Sequence, residues 1–163
     1  MNGLLALAAA GGCAAFGMSA SRRLSKRCAL LTLWDGALLR MEGAVTHSGA
    51  GLMAVLRQGA GEEIPVLNEL IRRMDQSPAV SPEALTDGLP WDELLSPDER
   101  QTLTACLRGL FCPTLTQQAQ ALSAARDQWA VFLRLCREKR EKDGKLYVSL
   151  GWLGGAAAFI LLC

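Results

Sequence analysis

The chain of 163 residues is half apolar, and its 17 Lys and Arg nearly balance 16 Asp and Glu, for a net charge of +1. That hydrophobic fraction excludes disorder, the near-zero charge leaves no footprint for nucleic acid, and six Cys without a spacing framework exclude a small disulfide-stapled secreted fold. Every charged residue lies between Arg22 and Lys145, so a charged middle is flanked by two apolar ends.

In chain order, residues 1–21 come first. Met1–Ala20 carries no ionisable side chain, and as a helix it covers about 30 Å, the thickness of a bilayer's hydrocarbon core. A cleaved signal peptide places its positive charges before the apolar run. Here Arg22, Arg23, Lys26 and Arg27 follow it, which favours an uncleaved transmembrane anchor.

A long helix is expected to continue from this span. Leu24, Cys28, Leu31, Leu38, Met41 and Val45 recur at three- and four-residue spacing, and Leu30, Leu33, Trp34 and Leu39 widen the stripe. A stripe this wide implies packing against more than one helix. Gly36 and Gly43 weaken the helix by about 1 kcal/mol each relative to Ala, and Ser48-Gly49-Ala50-Gly51 ends it. Short helices follow over Leu52–Arg57, over Val66–Asp75 with Pro65 in the first turn, and from Ser81-Pro82 to near Asp87-Gly88. Ser96-Pro97-Asp98-Glu99 is a capping box opening a helix over Asp98–Phe111.

The last helix starts at a second box, Thr114-x-x-Gln117. Leu115, Gln118, Leu122, Ala125, Trp129, Phe132 and Cys136 then form a coiled-coil-like seam. It leads through a basic stretch, where Asp143-Gly144 is a place for a kink, into Leu146–Cys163, an uncharged run at the short end of the spanning range. The fold class is all-α: a helical bundle built on two long helices that continue into an N-terminal and a C-terminal transmembrane helix. Arg22–Arg27 holds no acid, and Arg134–Lys145 holds six basic residues against three acidic ones. Both flanks therefore belong on the cytoplasmic side. The expected topology is a two-pass hairpin in the lipid bilayer of the cell membrane. Both termini are outside, residues 22–145 form a cytoplasmic helical domain, and residues 146–163 form the second span.

Little in the chain points to catalysis. The single His47 sits near a helix end as a cap or surface residue, no partner suggests a nucleophilic pair, and no Gly-rich loop ends in Gly-Lys-Ser/Thr. Cys106 and Cys112, six apart, lack the paired spacing of a zinc site, so neither a metal nor a cofactor is expected. The spans hold no ionisable residue, which argues against an ion path through this chain alone. A pore or transport subunit, with oligomerised spans lining a conduit, is the alternative function. It requires polar span faces, and Ser19, Ser21 and Ser149 are few. Gly151-x-x-x-Gly155, with Gly154, is a small-residue groove for helix packing, and Ala8-x-x-x-Gly12 offers a facing surface. The same spacing also arises incidentally in spans rich in Gly and Ala. Glu62–Glu99 concentrates ten acids against Arg72 and Arg73. It is either a solvated face of short helices or a docking surface for a basic partner, with Glu62, Glu63, Asp92 and Glu93 as the candidate residues.

The closing run Tyr147-x-Ser149-Leu150-Gly151-x-Leu153-Gly154-Gly155, entered from a long charged helix, resembles the stage III sporulation protein AB family. Met41-Glu42 is similar to the family's Leu-Glu pair, and Gln118 falls where a Gln is expected in the last helix. Gly43 and Ala44 stand where the family often has a second acid, Leu110-Phe111 replaces a Leu-Gly pair, and Thr114 replaces an Asp. The resemblance implies a non-enzymatic subunit of the channel complex joining mother cell and forespore, its cytoplasmic domain on the mother-cell side. It also implies two kinds of partner: a motor ATPase of the same sporulation operon, and other membrane subunits of the complex.

Overall fold

The computed structural model describes the backbone of residues 2–61, 63–76 and 81–162, and the side chains of residues 19, 21–61, 63–76, 81–142, 149 and 153. Among the described residues all regular structure is helical: α1 (Asn2–Ser48), α2 (Leu52–Ala60), α3 (Pro65–Gln76), α4 (Pro82–Thr86), α5 (Pro97–Gly109) and α6 (Leu115–Leu162). The long helices are unbroken, and α6 runs helical through Asp143-Gly144. Among the described residues no helix is long and apolar enough to cross a membrane. The two expected spans fall almost wholly outside the described side chains, as do their packing residues Ala8, Gly12, Gly151, Gly154 and Gly155.

Local chemistry sets the helix ends. Ser96 and Glu99 form the expected reciprocal box: the Ser96 Oγ accepts the Glu99 N–H at 3.2 Å, and the Glu99 carboxylate accepts the Ser96 N–H at 2.7 Å. At α6 the Thr114 Oγ1 accepts the Gln117 N–H at 3.4 Å. Gly49 and Gly61, at φ 54° and 52°, turn the chain out of α1 and α2 in a conformation that L side chains avoid. The fifth helix stops at Gly109, short of the expected Phe111, because Leu110, Phe111 and Cys112 turn back onto the carbonyls of Leu107, Arg108 and Gly109.

Two compact units make up the chain, one of residues 30–132 and one of residues 1–29 and 133–163. In the first, α2 packs on α3, α3 on α4, and α4 on α5. Its core takes Leu31, Trp34, Leu38 and Met41 from α1, Leu56, Leu67 and Leu70 from α2 and α3, Leu103 and Leu107 from α5, and Leu122 and Trp129 from α6. Each such side chain contributes about 1.5–3 kcal/mol by leaving water. The buried α1 residues of this unit run from Leu31 to Val45 and its buried α6 residues from Leu122 to Trp129. Trp34 and Trp129 meet at its centre, ring centroids 6.4 Å apart, and the Trp129 indole N–H donates to the Leu31 carbonyl at 2.9 Å. A buried indole needs such an acceptor.

On α1 the expected stripe is buried at Cys28, Leu31, Trp34, Leu38, Met41 and Val45, while Leu30 and Leu33 are half-buried and Leu39 is 55% exposed. On α6 the seam departs at its start: Leu115 is 49% exposed, lying over Gly49, which has no side chain to cover it. Glycine also brings helices close elsewhere. A Cβ on Gly59 would sit 2.5 Å from Met41 Cγ, and one on Gly109 would sit 2.5 Å from Ala121 Cβ.

In the second unit a disulfide joins Cys28 of α1 to Cys136 of α6, with Cα atoms 5.9 Å apart. The sequence gives no spacing cue for this pair, because 108 residues separate the two. Both occupy expected seam positions, which is why they face each other. Leu133 and Cys136 are buried one turn apart on α6, while the Arg134–Glu138 pair beside them is exposed and contributes little.

Candidate partner-binding surface

Residues 62–99 hold the acidic stretch, and the structure sorts its acids by what they already bind. Glu69 takes both Arg72 and Arg73, at 2.7 and 3.0 Å. The hydrogen bond from Arg72, then that from Arg73, lowers its carboxyl from the ordinary value of 4.5 to about 2. Arg73 also reaches the carbonyls of Asp87 at 2.6 Å and Gly88 at 3.0 Å, clamping the end of α4 to α3. Arg108 bonds the Thr86 hydroxyl and the Asp87 carboxylate, and Asp75 pairs with Arg57. Glu99 is buried in its capping box. Glu83 and Asp98 occupy first turns of α4 and α5, where negative charge suits the helix N-terminus.

Three described acids remain: Glu63, Asp92 and Glu93. All are exposed, and none has a described Lys, Arg or His within ion-pair distance. Glu62 lies outside the described residues. Glu63 and Asp92, 29 positions apart, line one cavity of about 260 Å³. Its apolar floor is formed by Leu30, Leu33 and Trp34, all from α1, and Val66 also lines it. Asp92 is held firmly there: its carboxylate accepts the Leu94 N–H at 2.8 Å, and Arg100 donates to its carbonyl at 3.0 Å. Trp91 beside it is half-buried, its ring 6.1 Å from Trp34. The apolar floor was not singled out in the sequence as part of a site. Its only signal was the extra width of the α1 stripe at Leu30 and Leu33.

Of the positions that carried the family resemblance, Met41, Glu42 and Gln118 have internal roles, while the closing run 147–155 lies almost wholly outside the described side chains. Met41 is fully buried against Gly59, and Glu42 forms an ion pair with Arg126, tying α1 to α6. The Gln118 amide donates to the Cys112 carbonyl at 2.8 Å and holds the α5–α6 turn. Among the described residues no group of His, Cys, Asp or Glu is placed to hold a metal ion. Of the two free thiols among the described residues, Cys106 is buried, which pushes it up to about 12 and leaves it protonated and inert at neutral pH.

The family described as stage III sporulation protein AB matches residues 3–163, nearly the whole chain. The chain belongs to that family. Membership gives it a role in sporulation, within a family not known for enzymes. No curated protein and no solved structure matches it.

Proposed function

We propose that this member of the stage III sporulation protein AB family is a membrane-anchored, non-catalytic subunit of the channel complex between mother cell and forespore. Residues 1–21 and 146–163 are its spans, and residues 22–145 stand on the cytoplasmic, mother-cell side. There the helical domain docks the motor ATPase of the same operon and couples it to the membrane subunits. The uncharged ends inside unbroken α1 and α6, and the basic residues beside them, support the anchoring. Docking rests on one observation: among the described residues Glu63, Asp92 and Glu93 are exposed with no cation within ion-pair distance, while Glu69, Asp75 and Asp87 each hold an arginine. Cytoplasmic disulfides are rare, and burial of both Cys28 and Cys136 limits the access of a reductant to their bond.

The test uses the full chain in nanodiscs, with binding of the ATPase measured at low and high salt. Rim charges act on association and are screened. Binding should weaken with salt and fall when Glu62, Glu63, Asp92 and Glu93 are all replaced by Lys. Equal binding by both proteins at every salt concentration refutes docking through this surface. For the anchor, a tag after Cys163 should be accessible from outside intact cells, and a protected tag overturns the hairpin.

A further inference from the structure

Electrostatics alone would make the acidic surface a diffuse attractor. The cavity between Glu63 and Asp92 makes it selective. We propose that it is an anchor pocket for a protein segment carrying an apolar side chain flanked by Lys or Arg, an inference that rests on the interaction-subunit reading above and names what that surface recognises.

Size, floor and rim each restrict the occupant. At about 260 Å³ the cavity lies below the usual range of small-molecule sites, roughly 300–1,000 Å³, yet has room for one or two side chains. Leu30 and Leu33 are only half-buried on its floor, so an apolar group seated there removes their remaining surface from water. Trp34, buried behind them and packed against Trp91, makes that floor rigid, as suits a preformed pocket for an anchor residue. The two carboxylates come from different segments of the chain and line the same cavity, and no described Lys, Arg or His lies within ion-pair distance of either, Arg100 bonding the Asp92 carbonyl instead. An acidic segment would be repelled, and a neutral one would leave both charges as they are. A segment with Lys or Arg beside its anchor satisfies floor and rim together. Asp92 is positioned by two hydrogen bonds, from the Leu94 N–H and from Arg100 of α5, so little ordering is needed on binding.

The experiment measures fluorescence anisotropy of three capped nine-residue peptides against the full chain in nanodiscs of zwitterionic lipid, which removes lipid charge as a source of binding. One peptide has a central leucine–phenylalanine pair between lysines. The second replaces its lysines with glutamates, and the third replaces its apolar pair with glycine and serine. Only the first should bind. Its affinity should fall about tenfold for the double variant Glu63→Gln/Asp92→Asn, which keeps the Asp92 turn acceptor. A similar loss is expected for Leu30→Trp, which fills the floor from a half-buried position. Equal affinity for all three peptides, no binding by any, or unchanged affinity in both variants overturns the pocket. If ATPase binding to the full chain keeps its salt dependence in these same variants, the pocket fails while the interaction-subunit reading stands. Loss of all ATPase binding by the unaltered chain fails the reading itself.

Discussion

At the scale of single residues, the acids of residues 62–99 differ in what they do at low pH. Glu69, held at about 2 by its two arginines, is the one with a resolved shift among the described residues. Its folded value lies below the ordinary 4.5, so its contribution is fully present above pH 4.5 and is lost as pH falls from there toward 2. Urea midpoints measured between pH 5 and 2.5 should therefore drop in the native chain. In Glu69→Gln the drop across that window should be smaller. A Glu69→Gln chain with the same acid limb as the native one would mean that the arginines are held by other partners. Sequence reading counted ten acids as one feature, since charge is legible and pairing is not. Only Glu99 had a motif that revealed its internal use. Arg108, nine residues beyond the stretch, captures Asp87 through the packing of α4 on α5, which no local pattern encodes.

Among the elements, the glycines separate what sequence could rank from what only packing decides. The spacing of apolar residues and the capping boxes disclosed every helix, because both are local signals. Gly43 and Gly109 are both helical glycines, and packing alone separates them. A Cβ on Gly43 meets nothing within 4 Å, so Gly43→Ala gains helix propensity alone and should stabilise by about 0.5–1 kcal/mol. At Gly109 the new methyl meets the Cβ of Ala121 at 2.5 Å, and a Cβ cannot swing aside. Parting α5 from α6 should cost about 1–3 kcal/mol. Thermal unfolding of the two variants should shift in opposite directions, and a stabilised Gly109→Ala would mean that α5 is not seated on α6 as described. The same reasoning covers Leu115: its seam spacing was correct, but the residue opposite it is Gly49, which offers nothing to pack against.

For the whole molecule, the apolar ends, the charged middle and the all-helical character were legible from composition and periodicity. The disulfide was not, since two cysteines 108 positions apart become neighbours only when α1 and α6 pair. That cross-link turns the stretch between Cys28 and Cys136 into a closed covalent ring from which the two termini emerge as tails. A pull on the tails then travels through a pair of sulfur atoms and bypasses the hydrophobic core, whose unfolding would otherwise release about 370 Å of extended chain. In a single-molecule experiment gripping both ends of the full chain, the oxidised protein should release none of that length before the tether breaks. The chain treated with reductant, or carrying Cys28→Ser, should release nearly all of it. A full-length release from the oxidised chain would mean that the ring is open. With the ring closed, the helical domain is mechanically sheltered, and tension between the two ends leaves it folded.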